Sequence, residues 1–313
     1  MKNKLPMIFT FVFLFVLQGN VWASQELTSA RMETVEKIVQ EKAKTYGAQN
    51  VIVAFDNDNT LLKMKQSLGS DQWWDWQSSM LFSKDQNTDK SGLVSDDFET
   101  LLDIQGFLFS LSSMLPVEET TPSLVKRIQD QGVQTFVLTS RGWDFYYPTI
   151  RELYENAYQF SGSLKNSSEI DHPRSWFPYE TQDVAKELNL SSEQVKAFKL
   201  DRPARPVAFS RGIFFTAGQH KGAMMRVILH KLSLEPKAIV FVDDKEKHTK
   251  RMQEAFEGTN LDVTTVRYSA EDEKVEAFEK QDKSMVKMQW TRLQEAYASQ
   301  DRKKIQKVVR KTF

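Results

Sequence analysis

Three continuous apolar runs stand out along a chain otherwise rich in charge. Val51-Ile52-Val53-Ala54-Phe55, Thr135-Phe136-Val137-Leu138 and Ala238-Ile239-Val240-Phe241-Val242 have the length and β-branched content of strands buried on both faces. Leu261 to Val266 predicts a fourth strand. Val207–Phe209 and Ile213–Phe215, bracketing Ser210-Arg211-Gly212, predict a short hairpin. Between these runs the apolar positions fall at helical spacing. Met32, Val35, Ile38 and Val39 predict an exposed helix over Glu26 to Tyr46, ended by Gly47. Ser123 to Gln131, stopped by Gly132, and Lys221 to Leu232 predict two more. Glu271 to about Tyr297 predicts one long amphipathic helix, followed by a basic tail read as a solvated helix face. Strands alternating with helices predict an α/β fold with a doubly wound, mostly parallel sheet.

Two stretches exceed ordinary connections. Residues 63–116 carry Trp73, Trp74, Trp76, Phe82, Phe107 and Phe109 in mainly helical patterning, which predicts a helical cap inserted after the first buried strand. Residues 144–206, with Trp176, Phe177 and Tyr179 among prolines, form a second insertion. The three tryptophans at 73, 74 and 76 are either the core of the cap or a stacking surface for an organic leaving group.

The N-terminus has a different pattern. Lys2 and Lys4 precede an apolar run from Met7 to Leu17, and Val21-Trp22-Ala23 places small residues before Ser24. That is the layout of a signal peptide over residues 1–23. The run covers only ~16 Å as helix, against the roughly 20 residues that a hydrocarbon core requires. The expectation is an exported domain of residues 24–313, periplasmic or secreted, with no stable membrane anchor after cleavage. With 42 basic and 42 acidic residues and no cysteine, the composition argues against nucleic acid as a partner. It also excludes disulfides and thiolate chemistry.

The candidate chemistry sits at the strand ends. Asp56-Asn57-Asp58-Asn59-Thr60 follows the first run, Thr139-Ser140-Arg141 the second and Asp243-Asp244 the third, while Lys221 opens a helix. In doubly wound sheets ligands bind at the carboxyl ends of the strands, so these distant residues are expected to converge on one rim. Two carboxylates at i and i+2 suit nucleophilic attack on phosphorus paired with proton transfer to the leaving oxygen. A hydroxyl and an ammonium suit the remaining phosphoryl oxygens, and a divalent cation would collect the carboxylate charge. Arg141 is open to two readings, as a contact for substrate phosphate or as a loop closure. His172, His220, His230 and His248 lack metal-ligand spacing, with His220 notable for adjoining Lys221.

These four motifs resemble those of the haloacid dehalogenase superfamily of phosphohydrolases. The wording around them is similar to an uncharacterised group of secreted bacterial members, with Leu68-Gly69-Ser70-Asp71-Gln72-Trp73, Leu138-Thr139-Ser140-Arg141 and Phe241-Val242-Asp243-Asp244 as its carriers. The resemblance covers about residues 47–270 and implies a Rossmann-like core. It implies Asp56 as nucleophile, forming an aspartyl-phosphate, and Asp58 as general acid and then base. Thr139 and Lys221 would bind phosphate. Mg²⁺ would be held by Asp56, the Asp58 main-chain carbonyl and one or both of Asp243 and Asp244, with Asp244 favoured. Asp58 favours phosphate monoester hydrolysis on a small phosphorylated substrate over the superfamily's dehalogenase and ion-pump chemistries. Two positions depart from the pattern. Position 59 is Asn where many relatives have Gly, and the acid usual a few residues after the fourth motif is missing, with Glu246 the candidate substitute. The rival expectation is a secreted binding or effector protein that keeps this scaffold without catalysis.

Overall fold

The computed structural model describes residues 25–313, so the predicted signal peptide lies outside the described residues. The elements in chain order begin with β1 (Gln25–Ser29), α1 (Met32–Tyr46), β2 (Val51–Phe55), β3 (Leu62–Met64), α2 (Asp71–Leu81), α3 (Phe98–Leu111) and β4 (Met114–Pro116). Next come α4 (Thr121–Asp130), β5 (Gln134–Thr139), α5 (Tyr146–Glu155), α6 (Val184–Glu187), α7 (Ser192–Ala197), β6 (Ala208–Ser210) and β7 (Ile213–Phe215). The chain closes with α8 (Lys221–Lys231), β8 (Ala238–Asp243), α9 (Glu246–Phe256), β9 (Asp262–Tyr268), α10 (Asp272–Lys280), α11 (Ser284–Ala298) and α12 (Arg302–Thr312).

Seven strands form one sheet in the order β1-β9-β8-β2-β5-β7-β6, and every pairing is parallel except that of β6 with β7. The mostly parallel α/β fold expected from the alternation is therefore present. Along β2, Val51, Val53 and Phe55 enter one core with α1 and α4, while Ile52 and Ala54 enter the other with α8 and α9. That two-sided burial is why the run carries no polar alternation. From β2 the chain steps outward to β5 and β7, then returns to the other side of β2 as β8. The order thus reverses between β2 and β8, where such sheets open a crevice at their carboxyl ends.

Residues 63–116 hold α2 and α3 above this crevice. Their entry and exit are paired as an antiparallel ribbon, with Leu62 opposite Pro116 and Met64 opposite Met114. Trp73 is fully buried here with Leu68, Leu101 and Leu108. Trp74 packs on Phe98 at 6.2 Å between centroids, and Trp76 meets Phe278 edge-on, also at 6.2 Å. The three indoles therefore serve packing.

Two expectations need correction. The helix expected over Glu26 to Tyr46 begins only at Met32; Gln25–Ser29 is instead an edge strand paired with β9. Its residues are largely exposed and lack alternation, so the β9 ladder, which no local pattern announces, decides their conformation. The long C-terminal helix is two helices, α10 and α11. Gln281 is extended, and the Asp282 carboxylate accepts from both Ser284 N–H and its hydroxyl, which restarts the helix. The basic tail is helical, and Val308, Val309 and Phe313 on its apolar side join Phe278, Val286 and Leu293 in the core that contains Trp73.

Candidate active site

The register of β2 against β8 begins the site. Phe55 lies opposite Val242, and the Asp56 N–H donates to the Val242 carbonyl at 2.9 Å. Asp56 therefore stands beside Asp243 at the point where the sheet order reverses. The chain then turns sharply: Leu61 and Leu62 N–H both donate to the Asn57 carbonyl, and Asn59 adopts φ +55°. This left-handed position favours Gly, and Asn is among the few other residues that tolerate it, which accounts for Asn59. Thr60 then accepts a hydrogen bond from Asp244 N–H at 3.0 Å, tying the first motif to the fourth.

Lys221 is fully buried at the start of α8, with its Nζ 2.5 Å from Asp56 and 2.6 Å from Asp243. Burial alone would lower its pKa, but the two carboxylates hold it above the ordinary lysine value. Two of its three N–H groups are engaged by these carboxylates. The Lys-Gly pair has a packing reason as well. A Cβ at Gly222 would lie 2.2 Å from the Arg251 carbonyl oxygen, so only glycine lets α8 approach α9 this closely.

Asp243 is saturated. It accepts from Lys221, from Lys245 N–H at 2.9 Å, and from His248 Nδ1 at 3.1 Å. Burial would raise its pKa, but Lys221 and His248 together hold it below the usual carboxylate range. His248 is itself pushed down to about 4 by burial, so it is the neutral imidazole, and its Nδ1–H donates. Asp244 is the opposite case. It is buried, its Oδ1 has no hydrogen-bond partner, and burial together with Asp71 and Asp243 raises its pKa well above normal. Burial likewise pushes Asp56 up to about 7, against the pull of Lys221.

Carboxylate oxygens of Asp56, Asp243 and Asp244 lie within 4.8 Å of one another, the one such acidic trio among the described residues. Crowded oxygen donors, one of them unpartnered, form a set suited to a hard divalent cation such as Mg²⁺. The Asp58 carboxylate is outside this trio, so only its main-chain carbonyl is left for that role.

Asp58 faces Arg141 instead. Arg141 Nε and Nη2 donate to its two oxygens at 2.8 and 2.7 Å. Nη1 donates to Thr149 Oγ1 at 2.9 Å and to Glu152 at 2.8 Å, Nη2 also reaches Met114 Sδ at 3.5 Å, and the guanidinium lies 3.8 Å over Phe109. All five N–H donors of the arginine are thus spent. Of the two readings of Arg141, loop closure describes this arrangement, because no donor remains for a phosphate. Glu152 is fully buried, and burial pushes it up to about 7 despite Arg141. Thr139 accepts from Arg141 N–H at 3.1 Å, leaving its hydroxyl hydrogen free.

The remaining candidates separate. His220 does not face the trio: its Nδ1 caps α8 by accepting from Ala223 N–H at 3.1 Å, and its ring packs on Phe198. Glu246 is exposed and paired with Lys250, so it does not replace the missing acid. Sequence reasoning missed the neighbour Lys245 as a tie to the cap. Its Nζ lies 2.9 Å from Asp71 and 2.8 Å from Asp75 on α2. The only linear signal was acidic residues at i and i+4 on a predicted helix, which named no partner.

The chain matches, over residues 28–303, the family described as Protein of unknown function (DUF2608). No curated protein and no solved structure matches it.

Proposed function

The chain belongs to the DUF2608 family, and we propose that it is a Mg²⁺-dependent phosphatase of the haloacid dehalogenase type, acting on phosphate monoesters through an aspartyl-phosphate. One observation carries the reading: Asp56, Lys221 and the Asp243-Asp244 pair, from three separated parts of the sequence, meet at the switch point of a mostly parallel sheet. The proposal of export rests on the N-terminal sequence pattern alone.

In this reading an Asp56 oxygen attacks phosphorus as the bond from phosphorus to the leaving oxygen breaks, and the electron pair of that bond departs with the leaving oxygen. The third N–H of Lys221 and the Thr139 hydroxyl hold phosphoryl oxygens, so that charge developing on them meets donors already in place. Asp243 holds Lys221 and Asp244 offers its unpartnered oxygen to the cation, which makes Asp244 the direct ligand of the pair, alongside Asp56 and the Asp58 carbonyl. Bound Mg²⁺ would supply charge neutralisation between carboxylates and substrate and polarise the phosphoryl group. In the second half-reaction water attacks the aspartyl-phosphate, Asp58 takes its proton, and the Asp56 carboxylate is released.

The test is hydrolysis of p-nitrophenyl phosphate by the purified protein with Mg²⁺ or EDTA, beside Asp56→Asn. Metal-dependent turnover that disappears in the variant is expected. Turnover that persists in Asp56→Asn contradicts the assignment of nucleophile. A second reading, a binding protein without catalysis, draws on the occupation of both Asp58 oxygens by Arg141. It predicts a folded protein with no turnover and no stabilisation by Mg²⁺.

A further inference from the structure

The second insertion ends on the same rim as the crevice. β6 runs antiparallel to β7, with Ala208 opposite Phe215, and Phe215 lies opposite Thr139 on β5. The residues that lead into β6 therefore reach the sheet at the carboxyl ends of β5 and β7. The loop from β7 to α8 is laced to the second motif there. Thr216 N–H donates to the Thr139 carbonyl at 3.0 Å, Ala217 N–H to that of Arg141 at 3.2 Å and Gly218 N–H to that of Ser140 at 2.8 Å. The chain then passes through Gln219 and His220 to Lys221.

Arg205 is fixed to this loop by its main chain. Its N–H donates to Gln219 Oε1 at 3.1 Å, and Gln219 Nε2 donates to the carbonyls of Arg205 and Thr216 at 3.1 and 3.0 Å. Its side chain lies over Gly218, where a Cβ would stand 3.6 Å from Nη2 and 3.9 Å from Nη1. Arg141 spends all its donors inside the protein, whereas the exposed Arg205 guanidinium has no hydrogen-bond or ion-pair partner among the described residues. Partial burial lowers its pKa and Tyr179 opposes this, with no carboxylate to offset the charge. Residues 216–221 contain no acid, and Lys199 and Arg251 add positive charge beside His220. A planar fork of unused N–H donors matches a carboxylate or a phosphate.

We infer that Arg205 sets specificity by binding a second anionic group, a carboxylate or a phosphate, on the alcohol portion of the substrate. This rests on the phosphatase reading above. Thr139 and Lys221 flank the loop that Arg205 overlies, so a molecule whose phosphoryl group sits between them can extend across the loop to the guanidinium. An ester without a second charge leaves that guanidinium unpaired and gains nothing from it.

The experiment compares kcat/KM for alkyl phosphates of four, six and eight carbons with and without a terminal carboxylate, in Mg²⁺ and with Asp56→Asn as the blank. The reacting ester is the same within each pair, so the ratio reads the added charge, and the range of lengths supplies the reach. Alkane bisphosphates of the same lengths form a second arm, and the larger ratio tells whether the second group is a phosphate or a carboxylate. A hydrogen bond to a charged group is worth about 10-fold or more, so the anionic member should lead by at least about 10-fold at the best length. In Arg205→Met that ratio should fall toward one, and Arg205→Lys should keep part of it. Ratios near one at every length in both arms of the wild-type series overturn the inference while leaving the phosphatase reading in place. Absence of Asp56-dependent turnover on every compound overturns both. A wild-type ratio that survives Arg205→Met, or a loss in that variant shared equally by charged and plain esters, overturns the role of Arg205. The wild-type series decides the substrate class even if the variant fails to fold.

Discussion

The Lys245 ammonium, on the residue that follows Asp244, lies 2.9 Å from the Asp71 carboxylate in the first turn of α2. Asp75, one turn later, takes the same ammonium at 2.8 Å. The end of β8 and the inserted helices are therefore joined by one lysine between two carboxylates. Burial pushes Asp71 up to about 6, against the pull of Lys245, so the lysine offsets a carboxylate cluster that spans both parts of the molecule.

Lys245→Met should leave Asp71, Asp75 and Asp244 without that cation. Breaking a buried pair while leaving its partner in place costs about 3–5 kcal/mol. The partly exposed Asp75 brings the expectation down to about 1–3 kcal/mol. Urea unfolding in EDTA measures this loss. The same variant should gain more stability from Mg²⁺ than wild type does, because a positive charge beside Asp244 has gone.

Asp244→Asn separates stability from binding. The buried, unpartnered carboxylate is repelled by Asp71 and Asp243, so its neutral isostere should be at least as stable as wild type in EDTA. Stabilisation by Mg²⁺, about 2.7 kcal/mol for a site at a hundred times its Kd, should be lost. Thermal midpoints with and without Mg²⁺ report both effects.

His220 makes stability depend on pH. Burial, with Arg251 adding, pushes its pKa down to about 3, and its unprotonated Nδ1 caps α8. The folded value lies below the unfolded one of about 6.5. Between these values the unfolded chain binds the extra proton, so stability rises with pH and is lost as pH falls below about 6.5. The loss attributable to His220 reaches about 2 kcal/mol at pH 5. His220→Asn retains a capping oxygen, and the difference in stability between pH 7 and pH 5 should shrink by that amount.

Gly222→Ala should destabilise the fold by about 1–3 kcal/mol through overpacking, since its Cβ would meet the Arg251 carbonyl at 2.2 Å and Ala255 Cβ at 2.6 Å. Chemical denaturation measures it. An unchanged midpoint would mean that α8 and α9 can separate at no cost.

What the sequence made legible follows from where each signal is stored. β2, β5 and β8 are buried on both faces, so their apolar runs announced them. Asp56, Thr139, Lys221 and Asp243-Asp244 were legible because each sits at the end of such a strand or the start of a helix. β1 was not, because an exposed polar edge strand is held by its ladder with β9. The partners of the site residues were hidden for a related reason. Glu152 and Thr149 on α5 reach Arg141, Asp71 reaches Lys245, and His248 reaches Asp243, all through helix side chains without a strand end to mark them. The sharing of one core by residues 63–116 and α10 to α12 is likewise a pairing of amphipathic faces that no single face specifies.

In the proposed reaction Asp56 becomes phosphorylated. Asp58→Asn would remove the proposed base of the second half-reaction and should let that species accumulate. The most direct measurement is acid quench of this variant with p-nitrophenyl phosphate and Mg²⁺, followed by peptide mass spectrometry. A hydroxylamine-labile phosphoryl group on Asp56 is expected, absent when Asp56→Asn is added or EDTA replaces Mg²⁺. A phosphoryl group on another residue, or release of p-nitrophenol with Asp56 never modified, would contradict that reaction.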